Sequence, residues 1–416
     1  MKALPPDDPG FAECSSVRAD TSPWNVPAFR WYLAGSATSW LGSAMAPVAL
    51  AFGIIAHSGS ATDLGIALAA RSIPLVVFLV LGGALADRMP SGRLLWLASL
   101  GCAFTQGAVA ALLLCGTVHL GAIVVLELCN GAISAFATPA TTGIVPALIA
   151  APGRLRANSL LSGSRGATKV LGPVLASLVV VTVGAGWALA VDAATFLFAA
   201  FCIRRLALPN RISSNTTGLW GDIRDGWKAF RSTTWVWVCT VAMCVANCVQ
   251  AGIWGVLGPT TAQDTIGITA WGVILGSGAV GHLVISAVMY RLSVRRLLGF
   301  GHLCLALGAI PLLALGLQAN AGLLIAGSFA AGLGTGAVTI SWSTSLYSHV
   351  PEDVLSRVSA FDHVGAFIAV PLGQAVAGPL AATAGASTVA VFGSVVFGVT
   401  ALLPLAFPSV RRLREE

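Results

Sequence analysis

The chain has 416 residues, of which 56% are hydrophobic and only 9% are charged. A soluble domain carries roughly a quarter of its residues as charge, so this composition excludes an ordinary water-soluble globular protein. The formal net charge of +7 would suit a nucleic-acid binder. Basic loops on one side of a bilayer give the same excess, so no nucleic-acid partner is predicted.

Long uncharged runs recur along the chain, and several reach the roughly 20 residues that a helix needs to cross a bilayer. Gly and Ala are frequent in these runs and strand-like alternation is absent, so the predicted fold class is all-α. The predicted membrane spans are residues 30–56, 64–86, 94–116, 119–146, 157–183, 186–203, 235–257, 269–290, 297–317, 321–347, 357–381 and 385–407. The sequence therefore predicts a polytopic protein whose surroundings are lipid.

Lys and Arg residues alternate between the predicted connections. Arg88 and Arg93 follow the second span, and Arg204 and Arg205 follow the sixth, whereas the loops after odd-numbered spans have no Lys or Arg. The positive-inside rule then places both termini in the cytoplasm of a multi-pass protein of the cell (inner or plasma) membrane. Residues 1–29 are polar and lack the pattern of a signal peptide, so we expect a cytoplasmic tail there.

A polar stretch in the middle of the chain divides six predicted spans from six. The predicted organisation is an N-terminal tail at 1–29, a six-helix bundle at 30–203, a cytoplasmic linker at 204–234, a second six-helix bundle at 235–407 and a C-terminal tail at 408–416. Within the linker, Leu219, Ile223, Trp227 and Phe230 have near-helical spacing. This pattern is typical of a short helix on the membrane surface, and a plain solvated linker is the alternative.

The two halves resemble each other weakly, at an offset of about 200 residues. Arg88 and Arg93 after the second span correspond to Arg291 and Arg296 after the eighth. Parallel repeats of this kind place a substrate site between the halves near the middle of the membrane, and the halves rock around that site.

A glycine-rich signature occupies the loop between the second and third spans. It reads Gly82-Gly83-Ala84-Leu85-Ala86-Asp87-Arg88, followed by Gly92-Arg93. This loop resembles the signature of the major facilitator superfamily, and span count, central linker and repeat extend the resemblance over nearly the whole chain. Gly172-Pro173 in span five and Gly378-Pro379 in span eleven make the chain similar to the twelve-helix exporter branch that contains macrolide-type drug efflux pumps and the enterobactin exporter.

The resemblance implies a gate on the cytoplasmic side. Asp87 can meet the positive N-terminus of a neighbouring helix, and Arg88 and Arg93 can bridge to carboxylates or carbonyls. In this superfamily the second and eleventh helices meet, so Asp87 would face the start of span eleven. The implied gate residues are Gly83, Asp87, Arg88, Arg93, Arg357 and Asp362. The alternative is that the arginines only orient the chain in the membrane.

The Gly-Pro pairs form a second implied motif. Gly172-Pro173 matches the antiporter motif of exporters only in part, because Ala176 and Ser177 replace the glycine pair. Gly172-Pro173 favours antiport, and a helix kink with small residues packed against a neighbouring helix is the structural alternative. Gly378-Pro379 in span eleven is a second predicted kink motif.

Charged residues inside the predicted spans are further candidates, because each costs on the order of 2.5–3.5 kcal/mol at a helix centre without a partner, water or function. Besides Asp362 they are Arg71, Glu127, Arg165, Lys169 and Asp192. Arg165 and Lys169 share a helical face, which should point into a cavity or at a carboxylate. Glu127 and Asp192 lie about 10 Å below the outer surface, where loss of water favours a protonated carboxyl group, so either is a candidate for proton coupling. Arg71 and Asp192 also suit structural pairing.

A polar and aromatic stripe runs along span seven. Asn247, Gln250 and Trp254 are spaced i, i+3 and i+7, which suits the wall of a substrate cavity, and Thr339 and Trp342 in span ten are expected to face the same space. Hydrogen bonding between helices is the alternative explanation.

The sequence contains no G-x-S-x-G, no H-E-x-x-H and no phosphate-binding loop, and the cysteines lack metal-ligand spacing. No enzyme activity, cofactor or metal site is therefore predicted. We predict a monomeric, proton-coupled exporter of small amphipathic or hydrophobic molecules that works by alternating access. A siderophore exporter or a lysophospholipid transporter of the same fold is an alternative, and a passive channel or membrane sensor is the alternative from another class.

Overall fold

The computed structural model describes residues 22–86, 89–141, 144–206, 219–291, 296–411 and 413. Within these ranges all regular elements are helices, and 12 of them are long and apolar enough to cross a membrane. The predicted all-α fold with twelve spans in two six-helix bundles is confirmed.

The twelve spans are numbered α1 to α12 in chain order. The first bundle consists of α1 Pro27–Ser58, α2 Ala61–Ala86, α3 Ser91–Leu114, α4 Leu120–Ala140, α5 Arg154–Val183 and α6 Ala185–Arg204. The second bundle consists of α7 Thr234–Thr265, α8 Ile268–Met289, α9 Leu297–Gly316, α10 Ala321–His349, α11 with its two parts Glu352–Phe367 and Val370–Ala384, and α12 Ala386–Ala406. A connecting helix, Leu219–Ser232, lies between α6 and α7.

The two ends of the molecule differ in their connections. We call the end where α1 begins and α6 ends the basic end, because Arg93, Arg204, Arg296 and Arg411 lie there. At the opposite end each of the six turns contains one residue with positive φ, namely Gly59, Gly116, Gly184, Gly267, Gln318 and Gly385. Glycine adopts such angles at little cost because it has no Cβ atom, which permits short turns between antiparallel helices.

Three spans of the second bundle lose regular α-helical structure just before a proline. A π-helical turn at Ile253–Leu257 precedes Pro259 in α7, and a 3-10 turn at Ala306–Gly308 precedes Pro311 in α9. In α11 the helix is interrupted between Phe367 and Val370, just before Pro371. Proline lacks an N–H group for the carbonyl four residues earlier and its ring clashes with that carbonyl, which explains all three positions.

The Gly-Pro pairs named from the sequence lie within continuous helix. α5 remains helical through Pro173, and the second part of α11 remains helical through Pro379. A side chain at Gly172 would collide with Ala44 of α1, and one at Gly378 would collide with the Thr62 backbone. The kinks stay a prediction, whereas the close packing expected of small residues is present at both glycines.

The bundles pack against each other in the half of the molecule near the opposite end. One apolar cluster there joins Val48 and Phe52 of α1 to Ile253 and Trp271 of the second bundle. Another joins α1 and α2 to residues that include Val256, Leu257 and Ala377. Near the basic end the cores are separate: one cluster contains only first-bundle residues, and the other only residues of the second bundle, the connecting helix and the C-terminal segment. Among the described residues, the apolar clusters that join the two bundles therefore lie near the opposite end, which is closed.

Candidate functional site

The first bundle buries an ionic cluster. Arg71 Nη1 of α2 lies 3.9 Å from Glu127 Oε2 of α4, and the two side chains are 23% and 1% exposed. Asp192 of α6 is 0% exposed, and neither of its carboxylate oxygens has a hydrogen-bond partner. Three of the charged residues that the sequence analysis named are thus buried in the first bundle, two of them as a pair and Asp192 outside that pair.

Two glycines allow the helices of this cluster to approach closely. A Cβ atom at Gly42 of α1 would lie 2.5 Å from Asp192 Oδ1, and one at Gly131 of α4 would collide with the Arg71 carbonyl oxygen. Glu127 and Asp192 are each the eighth residue of their helices. Both carboxylates therefore lie about 10 Å below the opposite end, as expected from the helical rise.

Two buried amides extend the cluster. Asn130 Nδ2 donates to Thr105 Oγ1 at 2.8 Å, while Asn130 Oδ1 and both polar side-chain atoms of Gln106 lack partners. Both amide side chains are 1% exposed. The sequence analysis missed them, although Asn130 follows Glu127 by three residues and so shares its helical face.

The layer holds more acids than bases. With both carboxyl groups ionised, Glu127, Asp192 and Arg71 would sum to one negative charge. An unpaired ion in a region of low dielectric is expensive, so such a layer favours the uptake of a proton or another small cation. Each unpartnered buried polar atom costs about 1–3 kcal/mol, which marks the region as a functional candidate rather than a packed core.

A polar cavity of about 260 Å³ connects this cluster to the half of the first bundle near the basic end. Its wall includes the guanidinium residues Arg71 and Arg165 and the hydroxyl residues Tyr32, Ser36, Ser39, Ser43, Ser99, Ser134 and Thr141. The Arg165 guanidinium lies 4.8 Å from the centre of the Trp40 ring, a cation–π contact. Arg71 therefore faces the cavity on one side and Glu127 on the other.

A second cavity, of about 210 Å³, lies between the bundles and is lined by Lys169 of α5 together with Gln250, Trp254 and His282. Arg165 and Lys169 thus line two different cavities, one within the first bundle and one between the bundles. Among the described residues neither has a carboxylate within 4 Å.

A third cavity, of about 290 Å³, lies in the second bundle. Asn247, Thr339, Trp342 and Asp362 line it. Asp362 accepts hydrogen bonds from Thr240 Oγ1 at 2.7 Å and from Trp342 Nε1 at 2.8 Å. The stripe predicted along span seven is therefore divided, because Asn247 faces this cavity while Gln250 and Trp254 face the one between the bundles.

The predicted gate is only partly described. Asp87 and Arg88 lie outside the described residues. Gly83 belongs to α2, and Arg357 and Asp362 belong to the first part of α11. Arg93 is exposed at the start of α3 and lines a surface cavity with Arg204. The hydrogen bonds of Asp362 are made within its own bundle, and the gate stays a prediction.

Comparison with known proteins identifies the family. Residues 32–373 match the family model described as Major Facilitator Superfamily. The chain belongs to the Major Facilitator Superfamily. The predicted family is confirmed, and the protein is a multi-pass membrane transporter of this superfamily.

Individual relatives are more distant. The multidrug efflux pump Tap of Mycolicibacterium fortuitum is 26% identical over 374 residues, which cover 84% of this chain and 88% of Tap. The nucleoside transporter NupG superposes with a TM-score of 0.74 at 13% identity, over 91% of this chain and 98% of NupG. The peptide transporter POT in complex with sulfate gives a TM-score of 0.72 at 12% identity, over 94% of this chain and 96% of POT. The two structural similarities concern the fold alone.

Proposed function

We propose that this transporter is a proton-coupled exporter of small amphipathic or hydrophobic compounds. The observation that carries the proposal is the buried layer of Arg71, Glu127 and Asp192, in which Glu127 is paired with Arg71 and Asp192 is buried without a hydrogen-bond partner on either carboxylate oxygen. The similarity to Tap, which is named as a multidrug efflux pump, supports export as the direction of transport.

The position of the cluster suits alternating access. We assign the basic end to the cytoplasm by the positive-inside rule. Glu127 and Asp192 then lie about 10 Å below the outer surface, where water would reach them once the contacts between α2 and α11 separate. In the conformation described here, Arg71 borders the cavity near the basic end, and we propose that water in this cavity carries the proton from Glu127 towards the cytoplasm while Arg71 stays charged. A proton would thus enter from outside and leave inside, which can drive export.

The cavities suit an amphipathic substrate. Trp254 and Gln250 line the space between the bundles, and Trp342, Phe367 and Asn247 line the cavity in the second bundle. Apolar and aromatic walls with a few polar groups are typical of sites for small organic molecules. We propose that a substrate binds across these two walls, next to but separate from the charge cluster.

The test is transport in inverted membrane vesicles with and without an imposed pH gradient, using a panel of fluorescent amphipathic compounds. We expect Glu127→Gln and Asp192→Asn to abolish gradient-driven accumulation while retaining substrate exchange without a gradient, because the substrate walls are untouched. Asp264→Asn, at an exposed carboxylate near the end of α7, is the matched control and should behave like the parent.

Two results would refute the proposal. If both variants kept the parental pH dependence, the buried carboxylates would not carry the coupling proton. If no compound of the panel accumulated under any gradient, export of amphipathic compounds would be wrong, whatever the variants did.

A further inference from the structure

A surface cavity of about 480 Å³ lies at the basic end of the first bundle, apart from the cavities assigned to transport. It lies between the start of α3 and the end of α6, and its described lining is Pro90, Gly92, Arg93, Trp96, Ile203, Arg204 and Leu206. The two arginines are exposed, and no acidic residue is part of this lining. The cavity is therefore basic and open to the surroundings.

The charged groups are arranged around an aromatic ring. The Arg204 guanidinium lies 6.0 Å from the centre of the Trp96 ring, and the indole is half-buried between the helices. On the neighbouring residue, the Arg205 guanidinium lies 5.0 Å from the Phe201 ring and outside the cavity lining. Arg93 and Arg204, the two arginines of the cavity, lack a carboxylate partner within 4 Å among the described residues. Their N–H donors are therefore available for an anion.

An apolar track continues from the cavity along the same two helices. Leu97 and Phe104 of α3 and Leu197 and Phe201 of α6 are all exposed, Phe104 to 73%. Leu97 follows Arg93 by four residues, so the two share one helical face. The site thus combines a basic pocket at the membrane surface with an apolar surface that extends towards the membrane interior.

We infer that this cavity binds the headgroup of an anionic phospholipid, whose acyl chains lie along the apolar track. Arginine recognises phosphate through paired N–H donors, and basic pockets between membrane helices are typical binding places for acidic headgroups. Tryptophan favours the level of the headgroups, which fits Trp96 in the cavity wall. A lipid is favoured over free phosphate because the basic pocket lies beside the membrane-facing side chains of α3 and α6, so a headgroup and its acyl chains can bind together.

Binding there would join α3 to α6 at the basic end. Arg93 is also one of the residues that the family resemblance assigns to the gate, so an anionic lipid would compete for its guanidinium. This inference does not depend on the proposed direction of transport or on proton coupling.

The experiment compares phosphatidylglycerol with phosphatidylcholine of the same acyl chains, bound to the full chain and measured by native mass spectrometry. We expect the parent to prefer phosphatidylglycerol at least tenfold, and the double variant Arg93→Gln with Arg204→Gln to lose this preference. Arg411→Gln removes one charge at the same end of the molecule but in the second bundle, away from the cavity, and should keep the preference within twofold. Thermal unfolding of each variant checks that the fold is retained.

Four outcomes would overturn the inference. In the first three, the parent shows no preference for phosphatidylglycerol, the double variant keeps the preference, or Arg411→Gln loses as much of it as the double variant. Displacement of phosphatidylglycerol by inorganic phosphate at equal concentration would also refute it, because the site would then recognise phosphate alone.

Discussion

Replacing Gly378 by alanine should shift the protein towards the conformation that opens at the opposite end. Gly378 of α11 is buried against α2, and a Cβ atom there would lie 2.5 Å from both the Cα and N atoms of Thr62. Ordinary carbon contacts are about 3.5–4.0 Å long, so the two helices would have to separate by about 1 Å or more. The contact exists only while this end is closed, and its loss therefore penalises one conformation alone.

The size of the effect follows from the cost of overpacking. An extra methyl group in a closely packed interface costs about 1–3 kcal/mol. A penalty of about 2 kcal/mol changes the ratio of the two conformations about 30-fold, since each 1.4 kcal/mol is a factor of ten. The matched control is Gly163→Ala in α5, where a Cβ atom would have no neighbour within 4 Å.

Spin labels at His57 and Thr383, both exposed near the opposite end, report the distance between the bundles there in a background without native cysteines. We expect a single short distance in the parent and the control, and a longer population in Gly378→Ala. An unchanged distance distribution in a folded variant would refute the reasoning, as would an equal change in Gly163→Ala.

Three further predictions concern stability and are measured by thermal unfolding. Gly184→Ala should destabilise by about 1–3 kcal/mol, because φ 100° and ψ 162° suit glycine alone; an unchanged midpoint would show that the turn relaxes. Gln318→Gly should stabilise by about 1 kcal/mol, because φ is 51° at a residue with a side chain; destabilisation would mean that the side chain makes a contact worth more than the strain. Asp362→Asn should cost about 1–3 kcal/mol, since an amide can accept from only one of the two donors at this carboxylate; a neutral result would imply that one of these hydrogen bonds contributes little.

The spans could be predicted because their signal is local. A helix in lipid must be apolar over its whole length, and any polar connection interrupts the pattern, so each span appears in the sequence regardless of its neighbours. The prediction of twelve spans is confirmed for this reason. The observed helix boundaries differ from the predicted span boundaries where the chain stays helical beyond the apolar run. For example, α1 begins at Pro27, whereas the predicted span begins at residue 30.

The helix interruptions could not be predicted in the same way. Pro173 and Pro259 look alike in the sequence, yet α5 is continuous at the first while α7 has a π-helical turn before the second. A proline leaves the carbonyl four residues earlier without its hydrogen bond. Whether the helix stays regular around that carbonyl depends on the packing of neighbouring helices, which is not a local property of the sequence. For this reason α5 stays helical through Pro173, where the sequence suggested a kink, whereas α11 is interrupted just before Pro371.

The charged residues of the candidate sites could be predicted from the sequence, whereas their uncharged neighbours could not. Arg71, Glu127 and Asp192 were named because a charge inside a span is rare and costly. Gln106 and Asn130 belong to the same buried layer but carry no charge. The spacing of Asn130 from Glu127 is a weak sequence signal, and Gln106 has no such neighbour. The pairing of Arg71 with Glu127 depends on the contact between α2 and α4, which a single sequence does not specify.

The two halves of this transporter are related in sequence pattern, but buried charges are concentrated in the first half and helix interruptions in the second. Five of the six charged residues named within the spans belong to the first bundle, whereas the interruptions before Pro259, Pro311 and Pro371 belong to the second. Partly paired charges in a medium of low dielectric need a rigid frame, because displacement by an ångström changes their energy steeply. A helix that already lacks a hydrogen bond bends at lower cost than an intact one. We therefore expect the first bundle to move as a unit with its charge cluster intact, and the second bundle to bend as the contacts between α2 and α11 open and close.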